Sequence, residues 1–192
     1  MGWLNRIALL IVFILGLCAF SEGSVGFGPT LGKRAPDFRV ESWDNQPLSL
    51  DMIRGKVIVL FYESRKVIRK NIALKNELKR LYRAQPANIQ KEIFRLVVID
   101  CSEAYWPTIP LWKSKLKEHS REEGFLIYGD WNKGMLTNYR MKPGESNFII
   151  IDKQGVVRYA AAHKIEKHQF DTIKGVLYSL IQEKKWGSSL NR

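Results

Sequence analysis

A chain of 192 residues, 45% hydrophobic and 26% charged, has the balance of one ordinary globular domain, which excludes a disordered protein. A formal net charge of +12 points towards anionic partners, and two cysteines are too few for a disulfide framework.

In chain order, residues 1–6 carry one positive charge, Arg6, and residues 7–20 are an unbroken apolar run. Ser21, Glu22, Gly23 and Ser24 follow. This is the order of a secretory signal peptide. The run is shorter than the roughly 20 residues that comfortably span a bilayer, and an uncleaved N-terminal anchor is the alternative reading. Leu17, not a small residue, precedes Cys18, which argues against a lipoprotein signal. Removing residues 1–23 takes away Arg6 and Glu22 together, so the remaining chain keeps its charge of +12. Export turns that charge away from nucleic acid and towards an acidic protein, anionic lipid headgroups or another anionic component of the cell envelope. It also leaves Cys101 alone, unable to form an internal disulfide.

Residues 24–34 are Gly-rich and aperiodic, and read as a linker. Phe38 and Val40 alternate with charged residues as on a half-buried strand. A turn at Asp44-Asn45-Gln46-Pro47 precedes Leu48-Ser49-Leu50 and a short helical stretch through Arg54. Residues 57–62 (VIVLFY) read as a central strand covered on both faces. Residues 64–83 are predicted to be helical, with Leu74, Leu78 and Leu81 on one side. Strands are expected at 94–100 and 125–128, separated by a helix through about His119, and a short helix at 133–139. Residues 148–152, the turn Lys153-Gln154-Gly155 and residues 156–160 form the clearest hairpin. The last helix carries Phe170, Ile173, Leu177, Leu180 and Ile181 on one face. Strands alternating with helices predict an α/β fold: a central, mostly parallel sheet with an antiparallel terminal hairpin and helices on both faces. The domain is expected at 35–185, with a frayed tail at 186–192.

The opening Ala35-Pro36-Asp37-Phe38, the Leu48-Ser49-Leu50 segment, Gly55-Lys56-Val57 with its apolar strand, and the closing hairpin from Phe148 to Tyr159 resemble the thioredoxin-like superfamily, with AhpC/TSA- and TlpA-like redoxins among its members. The resemblance spans most of residues 32–184. In redox-active members a C-x-x-C follows the central strand, where a helix N-terminus lowers one thiol's pKa. Lys66 and Arg69 hold those two positions here. The stretch 63–71 also lacks the T-x-x-C of a peroxiredoxin. The family's cis-proline before the penultimate strand falls on Glu145, with Pro143 two positions early. Arg65, Lys70, Asn71, Ala73 and Leu74, with the Asp-Lys-x-Gly hairpin, are similar to the exported YtfJ-like proteins, a likeness that implies location and fold more than activity.

The candidate sites follow. Ser64, Arg65, Lys66, Arg69, Lys70, Lys75, Lys79, Arg80 and Arg83 are expected on one basic helix, a solvated face or a membrane-surface contact. Its start, with Arg65, Lys66, Arg69 and the Glu145-Ser146 loop, is the candidate anion or partner site. Cys101 is the one catalytic candidate, against a structural reading in which Asp100 beside it raises its pKa. His119, His163 and His168 have no metal-ligand spacing, and no phosphate-binding Gly loop is present, so no metal or cofactor is expected. Trp106, Trp112 and Trp131 are expected at loops or helix edges. The residues favour an exported, non-catalytic binding or accessory module. A thiol oxidoreductase or peroxidase acting through Cys101 alone is the alternative.

Overall fold

The computed structural model describes residues 26–182; the expected signal segment with Cys18, the first residues of the linker and everything beyond 182 lie outside them. Strands β1 (Arg39–Ser42) and β2 (Pro47–Ser49) form a hairpin whose turn places Asn45 at a φ of 63°. A 3-10 turn (Asp51–Ile53) leads to β3 (Val57–Glu63), α1 (Ile72–Arg83), the short α2 (Ala87–Gln90) and β4 (Ile93–Asp100). Helix α3 (Ile109–Glu123), β5 (Tyr128–Asp130) and α4 (Gly134–Asn138) follow. The hairpin of β6 (Asn147–Ile151) and β7 (Val157–Ala162) and the helix α5 (Phe170–Gln182) complete the described chain.

The strands form one sheet in the order β2-β1-β5-β4-β3-β6-β7. The centre, β5-β4-β3, is parallel as expected. The terminal hairpin joins β3 antiparallel, also as expected. The parallel part stops at β5, because β1 joins it antiparallel and carries β2 beyond it. Side chains alternate across each strand, and β3 is buried along its whole length. Ile58, Leu60 and Tyr62 pack on one face with Leu96, Val98, Ile149 and Met135. Val57, Val59 and Phe61 pack on the other with Leu74, Phe148, Ile150 and the α5 residues Ile173, Leu177 and Leu180. Each such aliphatic side chain contributes about 2 kcal/mol of burial, which is what holds α5 to the sheet.

The structure corrects three readings. The helix expected from residue 64 starts at Ile72, and residues 64–71 form successive turns closed by Val67 N–H to Ser64 O and Lys70 N–H to Val67 O. Ile68 lies six residues before Leu74, so a continuous helix would point the two about 120° apart. In turns, Ile68 packs instead against the cluster of Ile99, Cys101, Leu116 and Ile127. The third strand lies at Tyr128–Asp130 rather than at 125–128. It is placed by register with β4 (Val98 opposite Tyr128, Asp100 opposite Asp130), and its buried residues include a glycine and an aspartate that carry no apolar signal. The described part of the expected linker belongs to the domain. Gly32 N–H donates to Val157 O, Val157 N–H to Lys33 O, and Ala35 N–H to Gly155 O, so the segment runs along β7 as a short antiparallel bridge. Backbone pairing of this kind leaves no side-chain pattern to read.

Candidate functional site

Strand β3 ends on Glu63, a carboxylate with no solvent exposure. Three segments close over it. Ser146, just before β6, donates its hydroxyl to Glu63 Oε1 at 2.7 Å. Lys75, on the first turn of α1, pairs with Glu63 Oε2 and donates to Ile68 O at 2.9 Å. Asn71, fully packed before α1, donates to Ser146 Oγ (2.9 Å) and His163 O (3.0 Å) and accepts from Ile165 N–H (2.8 Å). This network ties β3, the 64–71 turns, the loop before β6 and the β7–α5 loop to one point. Burial pushes the Glu63 carboxyl above its ordinary range, more than Lys75 and Ser146 pull it down.

Residues 63–71 and 145–147 therefore converge, but not into the open anion site that the sequence suggests. Ser146 is fully enclosed and committed to Glu63, so it is a structural tie and leaves the candidate binding set. Glu145 pairs with Lys70 across the same loop. Lys66 is exposed on the turns, Arg65 lies over the Trp112 ring at 5.0 Å, and Arg69 faces a groove described below. Since the helix starts later, none of these three sits at its N-terminus. The loop before β6 holds no cis peptide; among the described residues the one such bond is Trp106–Pro107. Much of the basic run is internally paired, with Lys79 on Glu123 at 3.0 Å and Arg80 on Glu77 at 2.8 Å.

Cys101 follows β4 and is fully buried with Ile99, Leu116 and Ile127. A Cβ on Gly129 would come within 3.0 Å of its sulfur, so the glycine in β5 is what makes room for it. Burial, and then the Asp100 and Asp130 charges, push the thiol up to about 12. At that value only about one molecule in 10⁵ carries a thiolate at pH 7. The structural reading of Cys101 is the one its surroundings support.

A second buried carboxylate, Asp130, ends β5. It accepts the N–H groups of Gly134 (3.1 Å), Met135 (3.0 Å) and Leu136 (3.2 Å) at the start of α4, and the Tyr62 hydroxyl at 3.1 Å. Among the described residues no His, Cys, Asp and Glu side chains cluster as a metal site. His119 contacts Glu122 at 3.1 Å, and His163 meets the backbone of Lys164.

An apolar groove of about 310 Å³ lies between α1, α3 and the sheet. Val59, Phe61 and Val97 of the sheet, Leu78 and Tyr82 of α1 and Ile181 of α5 line it. Arg95, in the middle of β4, points into it with its guanidinium between the Tyr82 and Phe125 rings, 4.3 and 4.4 Å from their centres. The sequence reading passed over Glu63, Asp130 and Arg95. All three were legible as charges inside or at the end of apolar strands, where a charge needs a stated partner.

No protein-family model and no curated protein matches the chain. Solved structures do. A candidate protein disulfide isomerase from Bacteroides thetaiotaomicron superposes with a TM-score of 0.62 at 14% identity, covering 83% of this chain and 96% of that one. A candidate thiol:disulfide interchange protein DsbE from Chlorobium tepidum gives 0.59 at 15% identity, over 80% and 99% of the two chains. The pneumococcal exposed lipoprotein thioredoxin from Streptococcus pneumoniae gives 0.56 at 17% identity, over 75% and 99%. With the strand order and the mixed sheet, these likenesses establish the architecture: the chain has the thioredoxin-like fold.

Proposed function

We propose that this is an exported, non-catalytic binding module of the cell envelope, built on a thioredoxin-like fold. One observation carries the reading. Exposed Lys66 and Arg69 hold the positions after β3 where the resemblance places a reactive thiol pair, and the corner beneath them is a Glu63–Ser146–Asn71–Lys75 network. The remaining described cysteine is enclosed and protonated at neutral pH. Thiol exchange needs an accessible thiolate, and neither place offers one. Export is supported by the signal-like order of residues 1–23. An exposed lipoprotein among the structural neighbours is consistent with it. The basic surface around Arg65, Lys66 and Arg69 favours an acidic protein or an anionic envelope component as partner, membrane surface included.

The test is turnover. Full-length protein, with Cys18→Ser and Cys101→Ser variants beside it, is assayed for insulin-disulfide reduction and for peroxide consumption. Background rates for all three are expected. Turnover that disappears with Cys101→Ser would establish the oxidoreductase alternative and remove the binding-module reading.

A further inference from the structure

We propose that the groove between α1, α3 and β4 binds a single-chain amphiphile with an acidic head, a free fatty acid, whose carboxylate pairs with Arg95. The inference rests on the reading of the domain as a binding module and names the ligand class of its groove.

Arg95 is the starting point. It sits half-buried on β4 opposite Val59 of β3, where a guanidinium drawn partly out of water gains from a charged partner. The Tyr82 and Phe125 rings contact its guanidinium carbon at 4.3 and 4.4 Å, and such ring contacts do not use up its N–H donors. No ion pair or hydrogen bond joins the Arg95 side chain to any described residue. Two other cations of the groove are matched, Lys75 with Glu63 and Lys79 with Glu123, and the Glu122 carboxylate contacts the His119 ring. Arg69 alone repeats the Arg95 condition, a cation facing the groove with no carboxylate partner among the described residues. After internal pairing, the groove is thus an apolar trough with surplus positive charge.

That pattern selects its occupant. A carboxylate can meet a guanidinium edge with two parallel hydrogen bonds, the geometry arginine favours. The apolar lining then takes a hydrocarbon chain lying along Val59, Phe61, Val97 and Leu78. A volume of about 310 Å³ lies at the small end of ligand sites, roughly 300–1,000 Å³, which suits one acyl chain rather than two.

The experiment is titration calorimetry of the full-length protein with dodecanoic acid and with dodecan-1-ol. The acid is expected to bind one per chain and at least about tenfold more tightly than the alcohol, the advantage a charge-assisted pair confers. In Arg95→Met, which keeps the bulk between the rings, acid and alcohol should bind alike. In Leu78→Trp, which fills the trough, both should be lost with circular dichroism unchanged. Comparing the two ligands on the unaltered protein decides the matter even where a variant fails to fold. Equal binding of acid and alcohol overturns the inference yet leaves the binding-module reading, which falls on Cys101-dependent turnover instead. Acid binding undiminished in Leu78→Trp, or no acid binding because a protein segment is the true occupant, also overturns it.

Discussion

The Ser146 hydroxyl donates a 2.7 Å hydrogen bond to Glu63 Oε1, across 83 residues of sequence. Both residues are fully buried. The bond fastens the loop before β6 to the end of β3, and Asn71 extends the same link to the β7–α5 loop. The corner of the fold is therefore a joint, held by polar groups that have little value unless all are satisfied.

Breaking the joint should cost stability in proportion to what is left unpaired. Ser146→Ala leaves one Glu63 oxygen without its donor and is expected to cost about 1–3 kcal/mol. Asn71→Ala removes three hydrogen bonds and is expected to cost about 2–4 kcal/mol. Because the two residues share a bond, the double variant should lose less than the sum. Urea denaturation of the three variants measures this. Additive losses would show that the residues do not act as one network.

Glu63 should give the protein a pH dependence of definite sign. Its carboxyl lies above the ordinary value of 4.5, chiefly through burial. A group whose folded pKa is raised contributes stability that is complete below the unfolded pKa, and this is lost as pH rises through the folded value. Glu63→Gln removes the titration while keeping the shape. The melting temperature of the unaltered protein relative to Glu63→Gln should therefore fall as pH rises from about 4 towards neutrality. A difference that is constant, or that grows in favour of the unaltered protein, would contradict the assignment.

Asp130 is expected to be the most sensitive single polar position on the opposite face of the sheet. Its carboxylate receives three N–H groups of α4 and the Tyr62 hydroxyl. Asp130→Ala orphans the Tyr62 hydroxyl and the Met135 and Leu136 N–H groups, while Gly134 N–H keeps Asn132 Oδ1 at 2.9 Å. It should cost about 2–4 kcal/mol, whereas Asp130→Asn, which keeps one carbonyl acceptor, should cost less. Chemical denaturation of both distinguishes a capping carboxylate from a filler; equal, small losses would mean α4 does not depend on it.

The apolar pattern made much of this fold legible. The run at 57–62, the 148–160 hairpin and the α5 residues Ile173, Leu177, Leu180 and Ile181 could be read because burial imposes period 2 on strands and 3.6 on helices. The lost cysteine pair was equally plain. What escaped were features that burial does not write in apolar residues. Residues 26–34 are tied mainly by backbone groups and by Arg140, which donates to Gly28 O and Thr30 Oγ1. The start of α1 depends on Asn71, whose side chain serves neighbouring loops rather than capping the helix. Glu63 and Asp130 look solvent-facing by type, and their burial follows from partners distant in sequence; Arg95 is half-buried against the Tyr82 and Phe125 rings. The site was accordingly half visible: the residues of the corner were named correctly, but as a surface rather than a joint.

The central claim is that Cys101, the one cysteine among the described residues, is not a reactive thiol, and its native labelling rate tests this most directly. The full-length protein would be held at pH 7.5 with excess iodoacetamide, and alkylation at Cys101 followed by peptide mass spectrometry with and without denaturant. With its sulfur enclosed and its pKa near 12, Cys101 should stay unmodified over hours in the native state and react within minutes once unfolded. Complete native labelling within minutes would mean an accessible thiolate, and would contradict the account.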